Sequence, residues 1–173
     1  MEAVLSDLKT QISDSAEDSD SSSPFDIFDD SRSTDSEKDD PDKDIVLDGN
    51  SYIGLISFPT LGQEFPVTRG WSYAAMNTAA CQYSGRRVDN DLIICAHNYT
   101  GFFDKLDKLS SGDQVIFTDV YGRKFNYTVT NSELLSGWDS PSLIKGGGSD
   151  WDLTLFTCTW SGYSRVTVRL VYS

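Results

Sequence analysis

Several features that often reveal a function are scarce here. The 173 residues include one histidine, His97, so any imidazole chemistry rests on that residue alone. No run of about 18 apolar residues occurs, so no transmembrane helix is expected within these residues. No basic-then-apolar segment opens them either, so no signal peptide is expected. These absences leave a cytosolic protein, or a fragment whose membrane segment lies elsewhere. Three cysteines, Cys81, Cys95 and Cys158, make an odd count, so at least one thiol is unpaired within the monomer. There is no CxxC pair. A zinc site would have to gather all three thiols with His97, whereas structural zinc ligands usually come in close pairs, so no metal is expected. Basic residues are also few, 14 against 27 acids, and no basic face suited to nucleic acid is apparent.

The acidity is unevenly placed. Residues 1–44 hold 15 of the acids and four of the bases, whereas the chain from Ile45 onward carries 12 acids and 10 bases. The formal charge of −13 therefore belongs mainly to a Ser/Asp-rich segment. Such a segment buries too little apolar surface to offset its ordering entropy, so residues 1–44 are expected to be a disordered or solvated tail. The small apolar patch Pro24, Phe25, Ile27 and Phe28 is its exception, either incidental or able to dock on a surface. Residues 45–173 hold the material for one domain with a real core: the chain is 38% hydrophobic, with nine Phe, eight Tyr and four Trp.

From Ile53 onward, short apolar runs alternate with Gly, Pro, Asn and Asp. Strands are expected at Tyr52–Phe58, Phe65–Val67, Leu92–His97, Gln114–Thr118, Lys124–Thr130, Leu153–Cys158 and Arg165–Tyr172. Many short strands with frequent turn signals predict a mainly β, closed or sandwich-like architecture. Lys124–Thr130 alternates well, with Phe125, Tyr127 and Val129 on one face. Two short helices are expected, around Ser72–Thr78 and Phe102–Leu109, the second capping the barrel through Phe102, Leu106 and Leu109.

Three residues fall where apolar strands meet loops. His97 ends Leu92-Ile93-Ile94-Cys95-Ala96-His97, and Cys158 ends Leu153-Thr154-Leu155-Phe156-Thr157-Cys158. Catalytic side chains commonly sit where a rigid strand gives way to a loop. The plainer alternatives are a hydrogen-bonded edge histidine and a cysteine that serves as a small core hydrophobe. Cys95 and Cys81 look like packing residues, although Cys95 shares a strand face with His97. Arg165 opens the next strand, and a short loop favours a hairpin that returns it beside Cys158. A guanidinium there can donate two hydrogen bonds to a carbonyl or an oxyanion, and a nearby cation favours thiolate. Strand alternation puts Arg165, Thr167 and Arg169 on one face, and Arg169 reads as a solvated arginine.

These stretches resemble the sortases, the surface transpeptidases of Gram-positive bacteria. The resemblance rests on Ile94–Tyr99 with its Ala-His-Asn, on Thr154-Leu155-Phe156-Thr157-Cys158, and on Arg165-Val166-Thr167-Val168-Arg169. It begins with the opening strand Tyr52–Phe58 before Pro59, continues through Phe102–Leu109 and Gly112-Asp113, and runs to the end of the chain. It implies an eight-stranded β-barrel with the active site at one end. By that resemblance Cys158 is the nucleophile toward the Thr–Gly bond of an LPXTG-like sorting signal. His97 protonates the leaving amine and deprotonates the incoming one, and Arg165 holds the substrate and the tetrahedral intermediate. Asn98, Thr157 and Trp160 are the implied substrate-binding residues, and Ser132–Ser149 falls where a loop shapes motif specificity. The acceptor would be the amine of a cell-wall precursor or a pilin lysine. No cofactor or metal is implied. The resemblance places the protein on the outer face of the cell membrane, anchored by a segment not in this sequence. The stretch between Val129 and Leu153 is too short for a long inserted helix, which argues against class B.

Two other readings use the same residues differently. A Cys–His peptidase or amidase would pass its thioacyl intermediate to water rather than to an amine. A noncatalytic β-barrel binding domain would keep Cys158 buried and inert.

Overall fold

The computed structural model describes residues 1–17, 40–144 and 150–173. Nine strands form one sheet: β1 (Ile45–Leu47), β2 (Asn50–Phe58), β3 (Gln63–Thr68), β4 (Ala80–Ser84), β5 (Leu92–Cys95), β6 (Gln114–Asp119), β7 (Lys124–Ser136), β8 (Leu153–Cys158) and β9 (Ser164–Tyr172). The spatial order is β1-β2-β3-β4-β5-β8-β9-β7-β6, and β2 also pairs with β6. That last pairing closes an eight-stranded barrel from β2 to β9, with β1 as a short outer addition to β2. Closure removes the sheet edges that would otherwise be left unpaired.

The closing seam depends on Gly54. It sits at a register shift in β2, opposite Asp119, with φ of 150°. A Cβ there would lie 2.1 Å from the Thr118 carbonyl oxygen, so only glycine allows β2 and β6 to approach.

Alternation fills the interior. Leu92, Ile94 and Ala96 of the β5 segment, Leu153 and Leu155 of β8, and Val168 and Leu170 of β9 join Ile56, Phe58, Val115, Tyr127 and Val129 in the main core. The 3-10 turn Phe103–Lys108 plugs one end through Phe103 and Leu106, and Phe103 packs edge-to-face on Phe58 and Phe65. Side chains of the opposite parity point outward. On β5 and β8 they form a second cluster of Ile93, Cys95 and Phe156 with Cys81, Met76 and Leu143.

The structure departs from the sequence expectations in definite places. Glu2–Glu17, expected as part of a solvated tail, is a helix, α1, docked on the barrel. Its Val4, Leu5, Leu8 and Ile12 make a helical stripe against Tyr52, Leu55 and Ala79, and Leu8 is fully buried. The end of the tail is also held, by Asp44 on Arg69 at 2.8 Å and Asp42 on Arg86 at 2.6 Å. The patch Pro24–Phe28 lies outside the described residues. β4 was not among the expected strands. β5 stops at Cys95, so His97 lies just past the strand. The first expected helix shrinks to α2 (Tyr73–Met76), capped by the Ser72 hydroxyl, and the second is a 3-10 turn.

Candidate active site

Three neighbouring strands bring the expected residues to one end of the barrel. β5 and β8 are parallel, with Cys95 level with Phe156. The pairing persists past the strand: the Ala96 amide donates to the Phe156 carbonyl at 3.4 Å, and the Thr157 hydroxyl donates to the Ala96 carbonyl at 2.8 Å. Continuing the register by two residues sets His97 level with Cys158. β8 and β9 are antiparallel, and Cys158 lies directly opposite Arg165. The turn between them closes with the Thr159 amide on the Ser164 carbonyl at 2.8 Å. Two parallel strand ends and one hairpin therefore bring His97, Cys158 and Arg165 to the same end of the barrel.

Each side chain has its own support. The His97 ring stacks on Tyr99, with centroids 4.6 Å apart, and meets the edge of Phe102 at 6.4 Å. Its carbonyl accepts from the Phe103 amide, so the start of the plugging turn also fixes the histidine's backbone. Arg165 is half-buried, its guanidinium 5.4 Å from the centroid of the Phe156 ring, and Nη1 donates to the Ser140 hydroxyl at 3.4 Å. A charge held above a ring and by one weak hydrogen bond keeps most of its donors available.

The three thiols divide sharply. Cys158 is exposed, whereas Cys81 and Cys95 are buried. Burial pushes the Cys95 thiol up, helped by the thiols of Cys81 and Cys158 and opposed by Arg165. Burial likewise raises Cys81. Only Cys158 therefore combines access to solvent with a guanidinium-bearing residue directly across the strand pair.

Cys158 opens into a cavity of about 210 Å³ whose walls include Asn98, Phe103, Asp104, Thr157, Trp160 and Val166. The three expected substrate-binding residues are thus brought together around the thiol. They differ in what they offer. Asn98 is half-buried and Trp160 is 88% exposed, while Thr157 is buried with its hydroxyl committed to Ala96. Thr157 consequently contributes wall and rigidity rather than a free hydroxyl.

One expectation fails outright. Arg169, read as solvated, is 3% exposed and fully engaged beneath the β7–β8 loop. Phe156, Ser140 and Tyr99 were not among the expected site residues, and Phe102, expected to cap the barrel, also meets the His97 ring. Phe156 was within reach, because residues two apart on a strand share a face and Cys158 marks that face. Ser140 carries no such signal, since its place depends on how the loop folds back.

Residues 56–173 match the sortase domain family, and the chain belongs to it. The fold agrees with solved sortases of several classes. Sortase A from Corynebacterium diphtheriae, in a lid-mutant form, superimposes with a TM-score of 0.63 at 22% identity, over 72% of this chain and 71% of that one. A pilus-related sortase C of Group B Streptococcus gives 0.61 at 25% identity, over 70% and 67%. A sortase D5 transpeptidase from Clostridium perfringens gives 0.61 at 22%, over 70% and 79%. No curated protein sequence matches the chain.

Proposed function

We propose that this sortase-family chain is a cysteine transpeptidase that cleaves an LPXTG-like sorting signal and transfers it to an amine. The observation that carries the reading is the exposed Cys158 directly opposite Arg165 and lining a cavity, on the strand that runs parallel to the one leading to His97. The Cys158 thiolate attacks the carbonyl carbon of the threonine in the Thr–Gly bond, and the carbonyl electrons move onto oxygen. Arg165 donates to that oxyanion, where preorganised donors act most strongly. As the C–N bond breaks, His97 gives its proton to the departing amine and a thioester remains. An incoming amine then loses a proton to His97, attacks the thioester and expels the thiolate, restoring the enzyme. Splitting one acyl transfer into two is the general advantage of a covalent intermediate. Asn98 and Trp160 line the approach to the thiol. The acceptor is the amine of a wall precursor or a pilin lysine, and work on such acceptors places the protein at the cell surface.

Product analysis with and without an amine separates this reading from a peptidase. A new amide that forms only when amine is added supports transfer. Free acid at the same rate in both reactions would make the protein a hydrolase with the same site.

A further inference from the structure

We infer that Arg169 is a positioning residue that fixes residues 139–143, the described turn after β7, over the outer face of the site, and that peptide recognition depends on it. The inference rests on the transpeptidase reading above. Arg169 lies four residues along β9 from Arg165, opposite Thr154 on β8 and Asn131 on β7. It points to the same outer face as Arg165, yet it is almost wholly covered. The cover is the loop that holds the 3-10 turn Pro141–Leu143.

Its guanidinium is shared among four acceptors. Nε donates to Glu133 Oε1 at 3.0 Å, and Nη1 to the Thr154 hydroxyl at 2.9 Å and the Leu143 carbonyl at 3.1 Å. Nη2 donates to the Ser142 carbonyl. The plane stacks over Trp151 at 4.3 Å. Two acceptors belong to the barrel strands and two are consecutive carbonyls of the loop, so one planar fork joins loop to wall. Only arginine offers donors in that spread.

The loop carries the effect to the thiol's neighbour. The Asp139 carboxylate takes the Ser142 amide at 3.2 Å and the Ser142 hydroxyl at 2.6 Å, which ties the turn internally. Ser140, inside that tie, accepts from Arg165. Leu143, beside the anchored carbonyl, is fully buried with Phe156, the ring under Arg165. Releasing Arg169 frees the turn that carries Ser140 and packs Leu143 into the cluster of Phe156, while Phe156 and Cys158 themselves remain where β8 puts them.

The test compares wild type, Arg169→Met and Arg169→Lys in the full chain. Acylation of Cys158 is followed against concentration of an LPXTG-like peptide, and alkylation by iodoacetamide is followed separately. Arg169→Met is expected to raise the half-saturating peptide concentration about tenfold or more, the scale of lost charged hydrogen bonds, with alkylation unchanged. Arg169→Lys keeps the stem and the charge, so it should fold and regain part of the peptide response. Amide exchange at Leu143 and Ile144, which close the turn, should quicken in Arg169→Lys, and this holds the test if Arg169→Met fails to fold. Wild-type peptide response in both variants, or alkylation falling in step with acylation, would overturn the inference. A wild-type chain that accepts no peptide would remove the transpeptidase reading, and this inference with it.

Discussion

The Thr157 hydroxyl donates to the Ala96 carbonyl at 2.8 Å, across the parallel strand ends that lead to His97 on one side and Cys158 on the other. The bond lies one residue before each reactive side chain. It holds the two strand ends in register after the regular ladder has stopped.

Thr157→Val keeps the volume and deletes the donor, leaving a buried carbonyl unpaired. It should lower stability by about 1–3 kcal/mol in urea denaturation. Acylation by peptide should fall further than that loss of folded protein explains. Unchanged acylation would mean that the strand ends hold their spacing without this bond.

The thiols should separate by reagent and by pH. Native protein at pH 8 should take one equivalent of iodoacetamide, mapped to Cys158, with Cys81 and Cys95 reacting only after unfolding. The raised Cys95 pKa also has a sign for stability. The folded state keeps that proton when the unfolded thiol has lost it, so its contribution is present below about pH 8.5 and declines as pH rises above that. Denaturation midpoints should therefore drop from pH 8 to pH 10, and Cys95→Ala should shrink the drop. An equal drop in the variant would assign it to other groups.

Much of this site was legible in the sequence because strands report it directly. The apolar runs ending at His97 and Cys158, and the hairpin that returns Arg165, are consequences of period-2 alternation and a short turn. What stayed hidden depended on what covers a surface. Alternation puts Arg169 on the outer face correctly, but no periodicity shows that Ser142 and Leu143 fold over it. The α1 stripe of Val4, Leu5, Leu8 and Ile12 was masked by averaging it with the acidic residues that follow. β4, five residues with Gln82 and Ser84 and a register shift between them, is too short and polar to announce a strand.

The docked helix makes its own prediction. Leu8 has no exposed surface, so Leu8→Ala should cost about 2–5 kcal/mol, the usual range for a buried leucine. A change below about 0.5 kcal/mol, the scale of a surface substitution, would show that α1 does not hold to the barrel in solution.

Arg165→Lys retains a charge opposite Cys158 and loses the planar fork. It should cut kcat/KM for peptide by about 10²–10³, the effect of losing an oxyanion donor, with the fold intact by circular dichroism. Near-wild-type turnover would argue against paired hydrogen bonds from this residue.

The most direct test of the central claim is intact mass after incubation with LPXTG-like peptides. The expected result is an acyl adduct on Cys158 that converts to a new amide when amine is added and is absent in Cys158→Ala. No adduct with any peptide, together with a Cys158 that iodoacetamide does not modify, would contradict the account and leave a barrel that binds without catalysis.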